Sequence, residues 1–371
     1  MTNMALGKAN SSKAPEKHKV AVLGCTGIVG QQFIRMLDGH PFFETAALCS
    51  SRKSAGKKYR DAADWAISGR LPAAVENMEI TEPEPDALAR HGVGIVFSAL
   101  PSETALNLER RMVKDGFFVF SNAGAHRMNA STPIVIPEVN PEHMSLAGIQ
   151  ASRGGGFIVT NSNCTTAGLV MALKPLMPFG LQSITVTTYQ ALSGAGRNGI
   201  AALSIVDNVV PFIRNEEEKM ERETKKILGS LERDRIREAP VEINASCCRV
   251  PTRDGHLESV VVELKDDAGC EDVSRAFHGF SGLPQQLDLP SAPHKPVIVS
   301  GREDRPQPLL DRDAGFPDRV KGMAVTVGRI RKKGEKINFF LLVHNTIRGA
   351  AGTCILNAEM AVKTNLIQQS L

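Results

Sequence analysis

With 371 residues, 42% of them hydrophobic, the chain is long enough to bury a large core and to divide into two domains. Its 44 basic and 40 acidic residues leave a net charge of +4, too near balance to imply nucleic-acid binding though compatible with small anionic ligands. Seven cysteines, an odd number with no C-x-x-C pair, argue against a disulfide framework and a zinc site and fit a reducing cytoplasm.

Residues 1–17 are polar, with Pro, Ser and Lys, and lack the apolar centre of a signal peptide, so a disordered tail is expected there. No apolar stretch approaches the roughly 18 residues of a membrane span. Residues 19–24 (KVAVLG) read as a strand, 24–30 (GCTGIVG) as a glycine turn and 31–37 as a helix. Strand, glycine turn and helix in that order open a dinucleotide fold, in which glycines such as Gly24 and Gly27 let the backbone approach a pyrophosphate. The spacing is G-x-x-G-x-x-G, and a plain tight turn is the competing reading.

The second strand, 44–49, leads into Ser50-Ser51-Arg52-Lys53-Ser54, where an NAD site would carry a carboxylate. Hydroxyls and a guanidinium suit a 2′-phosphate, so NADP is expected; the bland alternative is a basic surface loop. Strands follow at 94–101, whose end with Ser98 and Leu100 belongs on the nicotinamide side, and at 116–122, with a helix at 102–114 between them. Alternating strands and helices predict a mostly parallel sheet.

Residues 157–159 read as a buried strand, 161–163 (NSN) as a turn and the run from Cys164 as a helix that Pro175 ends or kinks. A thiol at that junction faces unpaired N–H groups and the positive end of the helix dipole, which favour thiolate and can hold an oxyanion. A buried structural cysteine is the alternative. Beyond it, strands at 183–190, 243–250, 257–264, 323–331 and 336–344 lack regular intervening helices, which predicts an antiparallel α+β domain. A final helix at 347–367 is expected to return to the first domain. The division is then a tail at 1–17, a nucleotide domain at 18–163 completed by 346–371, and a catalytic and dimerisation domain at 164–345.

The stretches GCTGIVG, SNAGAHRM, NSNCTTAG, TTYQALSGAG, EEEKMERETKKIL, CRVPTRDGH and HNTIRGAAG make the sequence resemble the aspartate-β-semialdehyde dehydrogenases, in the branch shared by archaea and fungi, from about residue 19 to the end. That resemblance implies a Rossmann domain joined to an α+β domain, as in glyceraldehyde-phosphate dehydrogenases. It implies NADP(H) as cofactor, no metal, a cytoplasmic homodimer or homotetramer, and β-aspartyl phosphate, aspartate semialdehyde and inorganic phosphate as small-molecule partners in the biosynthesis of lysine, threonine, methionine and isoleucine.

The same resemblance assigns Cys164 as the nucleophile that forms a thioester and His256 as the acid–base group, whose ordinary pKa near 6.5 suits proton transfer. It places Arg249 on the substrate α-carboxylate, Gln190 as the orienting amide and Glu216 on the amino group, with Glu217 an alternative in the triple glutamate. Lys219, Arg127 and Asn163 complete the phosphate site. Thr26 to Val29, Ser51 and Arg52 contact the cofactor, with Ser193, Gly194 and Asn345 at the nicotinamide; glutamine fills the Asn345 place in some bacterial relatives. From the residues alone, Arg249 is a strand arginine, His256 an exposed turn residue and the glutamates a solvated helix face. Two rivals stand: another acyl reductase on this scaffold, such as malonyl-CoA or N-acetylglutamyl-phosphate reductase, and a regulatory NADP-binding protein without the chemistry.

Overall fold

The computed structural model describes residues 16–197 and 199–367. The tail expected at 1–17 falls, but for its last two residues, outside the described residues. Six strands form the first sheet: β1 (His18–Leu23), β2 (Phe43–Cys49), β3 (Ile80–Thr81), β4 (Ile95–Ser98), β5 (Phe118–Ser121) and β6 (Phe157–Thr160). All pair in parallel in the order β3-β2-β1-β4-β5-β6. Being covered on both faces, they are continuous apolar runs, and the Phe33, Phe97, Phe120 and Phe157 rings fill the core on one side.

The order reverses between β1 and β4, so their carboxyl ends form the crevice in which such sheets bind nucleotides. Gly24 leaves β1 with φ +71°, and a Cβ there would meet the Ala99 carbonyl oxygen at 2.6 Å. A Cβ on Gly30 would lie 2.2 Å from the Gly24 oxygen. Only glycine permits this turn, which delivers the chain into the helix Ile28–Leu37.

The second sheet holds β7 (Leu181–Gln190), β10 (Glu242–Arg249), β11 (His256–Leu264), β12 (Val297–Ser300), β13 (Val325–Lys333) and β14 (Lys336–Val343), while β8 (Ser230–Glu232) and β9 (Arg235–Arg237) form a separate ribbon. The order is β10-β7-β11-β14-β13-β12. It is mixed rather than antiparallel as expected: β7 pairs β10, and β12 pairs β13, in parallel. Parallel neighbours need a long crossover, and the one from β7 to β10 carries the helix Glu216–Ile227. That helix and the helix Cys164–Leu173 pack on the sheet over a core of Leu169, Leu173, Val186, Met220, Val260 and Leu341.

The expected helix at 347–367 is divided into a π-helical turn, Ile347–Ala351, and an α-helix, Gly352–Lys363. Its Ile355, Leu356 and Met360 join the core of the first sheet. Leu289, Val320 and Met323 do so too, so that core draws on a stretch the sequence reading gave wholly to the second domain. Among the described residues no helix is long and apolar enough to cross a membrane, and no cluster of His, Cys, Asp and Glu is arranged to hold a metal ion.

Candidate active site

The turn 161–163 passes the chain from β6 directly into the helix Cys164–Leu173. Asn163 is the N-cap, its side-chain oxygen accepting from the Thr165 N–H at 2.9 Å and the Thr166 N–H at 3.4 Å. Two N–H groups assigned from sequence to an oxyanion are thus engaged by the cap. The Asn163 amide nitrogen donates to Glu216 at 2.7 Å, and its backbone N–H donates to Glu223 at 2.6 Å. These bonds tie Asn163 to Glu216 and Glu223 beside the cysteine, and the phosphate contact expected of it would compete with them.

Cys164 is the first residue of the helix, and its sulfur lies 3.1 Å from His256 Nε2. His256 opens β11 and is wholly buried, where the sequence reading allowed an exposed turn. Little water reaches the half-buried sulfur, and burial together with the Glu216 carboxylate pushes the thiol up to about 12. Arg249, Arg127 and the Thr165 N–H act the other way without prevailing. Burial and Glu216 thus oppose the thiolate that the helix terminus favours.

At the end of the sheet two more side chains join His256 in one row, since β10, β7 and β11 are adjacent and in register. Arg249 on β10, 6% exposed, donates to the Ala191 carbonyl at 2.7 Å. Gln190 ends β7 and donates to Glu216 and Thr188, both at 3.2 Å. Of the triple glutamate, Glu216 is buried beside Asn163 and Gln190, whereas Glu217 accepts from the Cys247 N–H at 2.9 Å on the edge of β10. Lys219 is half-exposed, 3.9 Å from Glu216. Arg127 is buried against Glu223 at 2.9 Å and also donates to the Asn122 carbonyl, so the guanidinium assigned to phosphate is already paired.

At the cofactor crevice, the first helix begins at Gly27 with no side-chain cap and no acidic residue in its first turn. Bare N–H groups at a helix terminus fit a pyrophosphate. Thr26 Oγ1 lies 3.2 Å from Ser50 Oγ, and Ser51 and Arg52 stand exposed beyond β2, Arg52 pairing with Glu82 at 3.1 Å. Leu100 is half-buried at the switch point, whereas Ser98 is fully buried and leaves only its backbone for a ligand. Ser193 and Gly194 lie in the turn Leu192–Ala195 above the imidazole, where a Cβ on Gly194 would meet His256 Cε1 at 3.2 Å. Asn345 donates to Ser193 Oγ at 2.8 Å and accepts from the Gly255 N–H at 2.9 Å. Both ends of that amide hold loops of the site rather than pointing freely at a nicotinamide.

Sequence reasoning missed Glu223, which binds Arg127 and the Asn163 N–H at once, and Gly349, on which the cysteine rests. Glu216, Met220, Glu223 and Ile227 share the buried stripe of their helix, so carboxylates at two core positions were the available signal.

A Rossmann domain, a mixed-sheet domain, and a helix-terminal cysteine against a buried histidine define a thiol-dependent dehydrogenase of glyceraldehyde-phosphate-dehydrogenase architecture. Residues 19–147 match the family model "Semialdehyde dehydrogenase, NAD binding domain", and residues 173–348 match "Semialdehyde dehydrogenase, dimerisation domain". The chain belongs to the semialdehyde dehydrogenase family. It is 48% identical to the aspartate-semialdehyde dehydrogenase of Archaeoglobus fulgidus over 95% of this chain and 100% of that protein. The crystal structure of the Candida albicans aspartate-semialdehyde dehydrogenase with NADP superposes with a TM-score of 0.86 at 40% identity, covering 95% of this chain and 100% of that one. A malonyl-CoA reductase (NADP) of Metallosphaera sedula is 39% identical over 95% of this chain and 98% of that protein.

Proposed function

We propose that this site carries out the NADP-dependent reductive dephosphorylation of β-aspartyl phosphate to aspartate semialdehyde, the activity for which its aspartate-semialdehyde dehydrogenase relatives are named. The observation that carries the reading is the convergence of Arg249 and Glu216 on the sulfur of Cys164: a guanidinium suits the substrate α-carboxylate, and a buried carboxylate suits its α-ammonium. Cys164 attacks the acyl carbon and holds the acyl group as a thioester. His256 Nε2 serves the carbonyl oxygen, and Gln190 orients the chain beneath it. Lys219 meets the phosphate, while Arg127 and Asn163 act on it through the groups they hold. NADPH, when bound by the glycine turn and the Ser51–Arg52 loop, supplies the hydride that reduces the thioester. The dimerisation domain and the seven free cysteines fit a homo-oligomer, a dimer or tetramer, in the reducing cytoplasm.

The likeness to a malonyl-CoA reductase sets a second reading against this one. Malonyl-CoA would give Arg249 a carboxylate but bring no substrate ammonium to Glu216, which accepts from the Asn163 and Gln190 amides and lies 3.9 Å from Lys219. Following NADPH formation with aspartate semialdehyde, phosphate and NADP, beside malonate semialdehyde with coenzyme A, decides the matter. Turnover with the first pair alone supports the aspartyl reading, and turnover with the second alone overturns it.

A further inference from the structure

Lys226 lies in the last turn of the helix Glu216–Ile227, a place from which a lysine ordinarily serves the carbonyls of its own helix or reaches water. It does neither. The residue is 5% exposed, and its ammonium donates to the backbone carbonyls of Arg127 at 2.6 Å, Asn129 at 2.8 Å and Thr132 at 2.8 Å. All three protons are thus engaged on one loop of the first domain. Burying an ammonium is costly unless its donors are matched, and three carbonyls converging on one nitrogen supply the match.

The loop so held carries Arg127. That guanidinium binds Glu223 through Nη1 and the Asn122 carbonyl through Nη2, both at 2.9 Å, while its Nε has no hydrogen-bond partner. Its charge lies near Cys164 and favours the thiolate there. Glu223 and Lys226 stand three residues apart on the buried stripe of their helix, so one element grips Arg127 by its side chain and by its main chain. Arg127 comes from the segment between β5 and β6, whereas Glu216 and Lys219 come from the gripping helix. The clamp therefore sets the spacing between the two halves of the charged site.

We propose that Lys226 is a positioning residue for the phosphate end of the site: it ties the main chain of Arg127 to the helix that bears Glu216 and Lys219, and so fixes where the Arg127 charge stands toward the phosphate. This role rests on the acyl-phosphate reading above. Four groups face the ammonium: Glu223 on its own helix, Glu238 beyond the β8–β9 ribbon, Arg127 in the loop, and His143 from the turn Pro141–Met144. Burial outweighs the two carboxylates and brings the ammonium down to about 8. Above that pH a neutral amine has two protons for three carbonyls, and the loop loses one of its ties.

The test is steady-state kinetics of NADPH formation from aspartate semialdehyde, NADP and varied phosphate. Lys226→Met keeps the length of the side chain and removes its charge and donors. It is expected to raise KM for phosphate about tenfold or more, the scale of a lost charge-assisted contact, and to leave KM for NADP within about twofold. Added to Arg127→Met, the same change is expected to do little further, since its effect passes through Arg127. Equal rises in KM for phosphate and for NADP, or full additivity of the two substitutions, overturn the proposal, because a helix that is merely loosened harms every ligand alike. Should Lys226→Met fail to fold, the unsubstituted enzyme decides. Its KM for phosphate is expected to climb above about pH 8, where inorganic phosphate is already a dianion, while KM for NADP stays level. A KM for phosphate that stays flat across that range overturns the role of Lys226. An unsubstituted enzyme inactive with aspartate semialdehyde and phosphate would instead sink the acyl-phosphate reading, and this role with it.

Discussion

Gly349 lies so close beneath Cys164 that a Cβ on the glycine would stand 2.7 Å from the cysteine Cβ and 2.9 Å from its Cα. The glycine belongs to the π-helical turn Ile347–Ala351, a local widening common where a backbone serves a site. The turn is anchored next door, where Arg348 is wholly buried against Glu138. The nucleophile thus rests on a backbone that cannot readily withdraw. Gly349→Ala is expected to displace the sulfur and lower kcat by about 10²-fold, in line with an ångström-scale misplacement, while NADP binding stays close to normal. Stopped assays with coenzyme titrations check this, and unchanged kcat would mean the turn yields to the methyl group.

Replacement of the nucleophile separates chemistry from binding. Cys164→Ser keeps the size and the helix start but exchanges the thiol for a weaker nucleophile and poorer leaving group. Turnover is expected to fall by several orders of magnitude with NADP affinity retained. Cys25 and Cys248 lie in matched stretches of sequence and serve as controls. Mass spectrometry after mixing with acyl substrate should find the acyl group on Cys164 and on neither control.

Glu223 joins two parts of the site, since it accepts from Arg127 with one oxygen and from the Asn163 N–H with the other. Glu223→Gln keeps one acceptor but turns an NH2 toward a donor. Breaking a buried pair while leaving its partner in place costs roughly 3–5 kcal/mol. A drop in the unfolding midpoint should accompany a fall in kcat, and Glu223→Asp should restore part of both. A variant of normal stability and normal kcat would show that Arg127 and Asn163 are held by their other contacts.

A separate buried carboxylate sets a pH dependence of stability. Glu109 is wholly buried, accepts from Ser121 at 2.7 Å, and burial pushes its carboxyl to about 7. Because the folded pKa lies above the unfolded one, the folded protein binds more protons between about pH 4.5 and pH 7. Stability should fall as pH rises through that window, by an amount on the order of 3 kcal/mol. Glu109→Gln should remove this slope and leave the protein more stable above pH 7. Chemical denaturation at several pH values checks both, and parallel profiles for the two proteins would place the titration elsewhere.

Much of this architecture was legible because local and global signals agree. The helix Ser102–Lys114 keeps the bounds that its periodicity sets, and every strand from β4 to β7 is centred where its apolar run lies. Strand β12 was missed because four residues after a proline carry too little pattern, and the parallel pairing of β7 with β10 because alternation within a strand does not reveal its neighbour's direction. The cysteine, histidine and Arg249 were placed through the motifs that carry the resemblance. Asn163 was visible as a polar residue before a helix, yet its capping bond competes with the ligand role, and only coordinates show which partner it takes. The charge-rich run 216–226 reads as solvated, and burial of Glu216, Glu223 and Lys226 comes from what packs on that face. The thiolate expected from the helix terminus left out the burial that opposes it, because that burial is set by distant segments.

Coenzyme choice offers the remaining prediction. Arg52 stands exposed at the end of β2, where an NAD site would place a carboxylate, and its present partner is the half-exposed Glu82 at 3.1 Å. An exposed ion pair of this kind is weak, so a 2′-phosphate with its larger charge can displace it. Hydrogen bonds to a charged group contribute about 1.5–3 kcal/mol, corresponding to about a tenfold to 150-fold preference for NADP, and exposure puts this site near the lower end. Arg52→Ala should therefore raise KM for NADP about tenfold and leave KM for NAD nearly unchanged, because NAD offers no phosphate to hold. Glu82→Gln should do the opposite on a smaller scale, freeing Arg52 and lowering KM for NADP. Steady-state kinetics with both coenzymes decide: equal losses for NADP and NAD in Arg52→Ala would show that the arginine only shapes the loop, and no loss for either would leave Arg52 a plain surface residue.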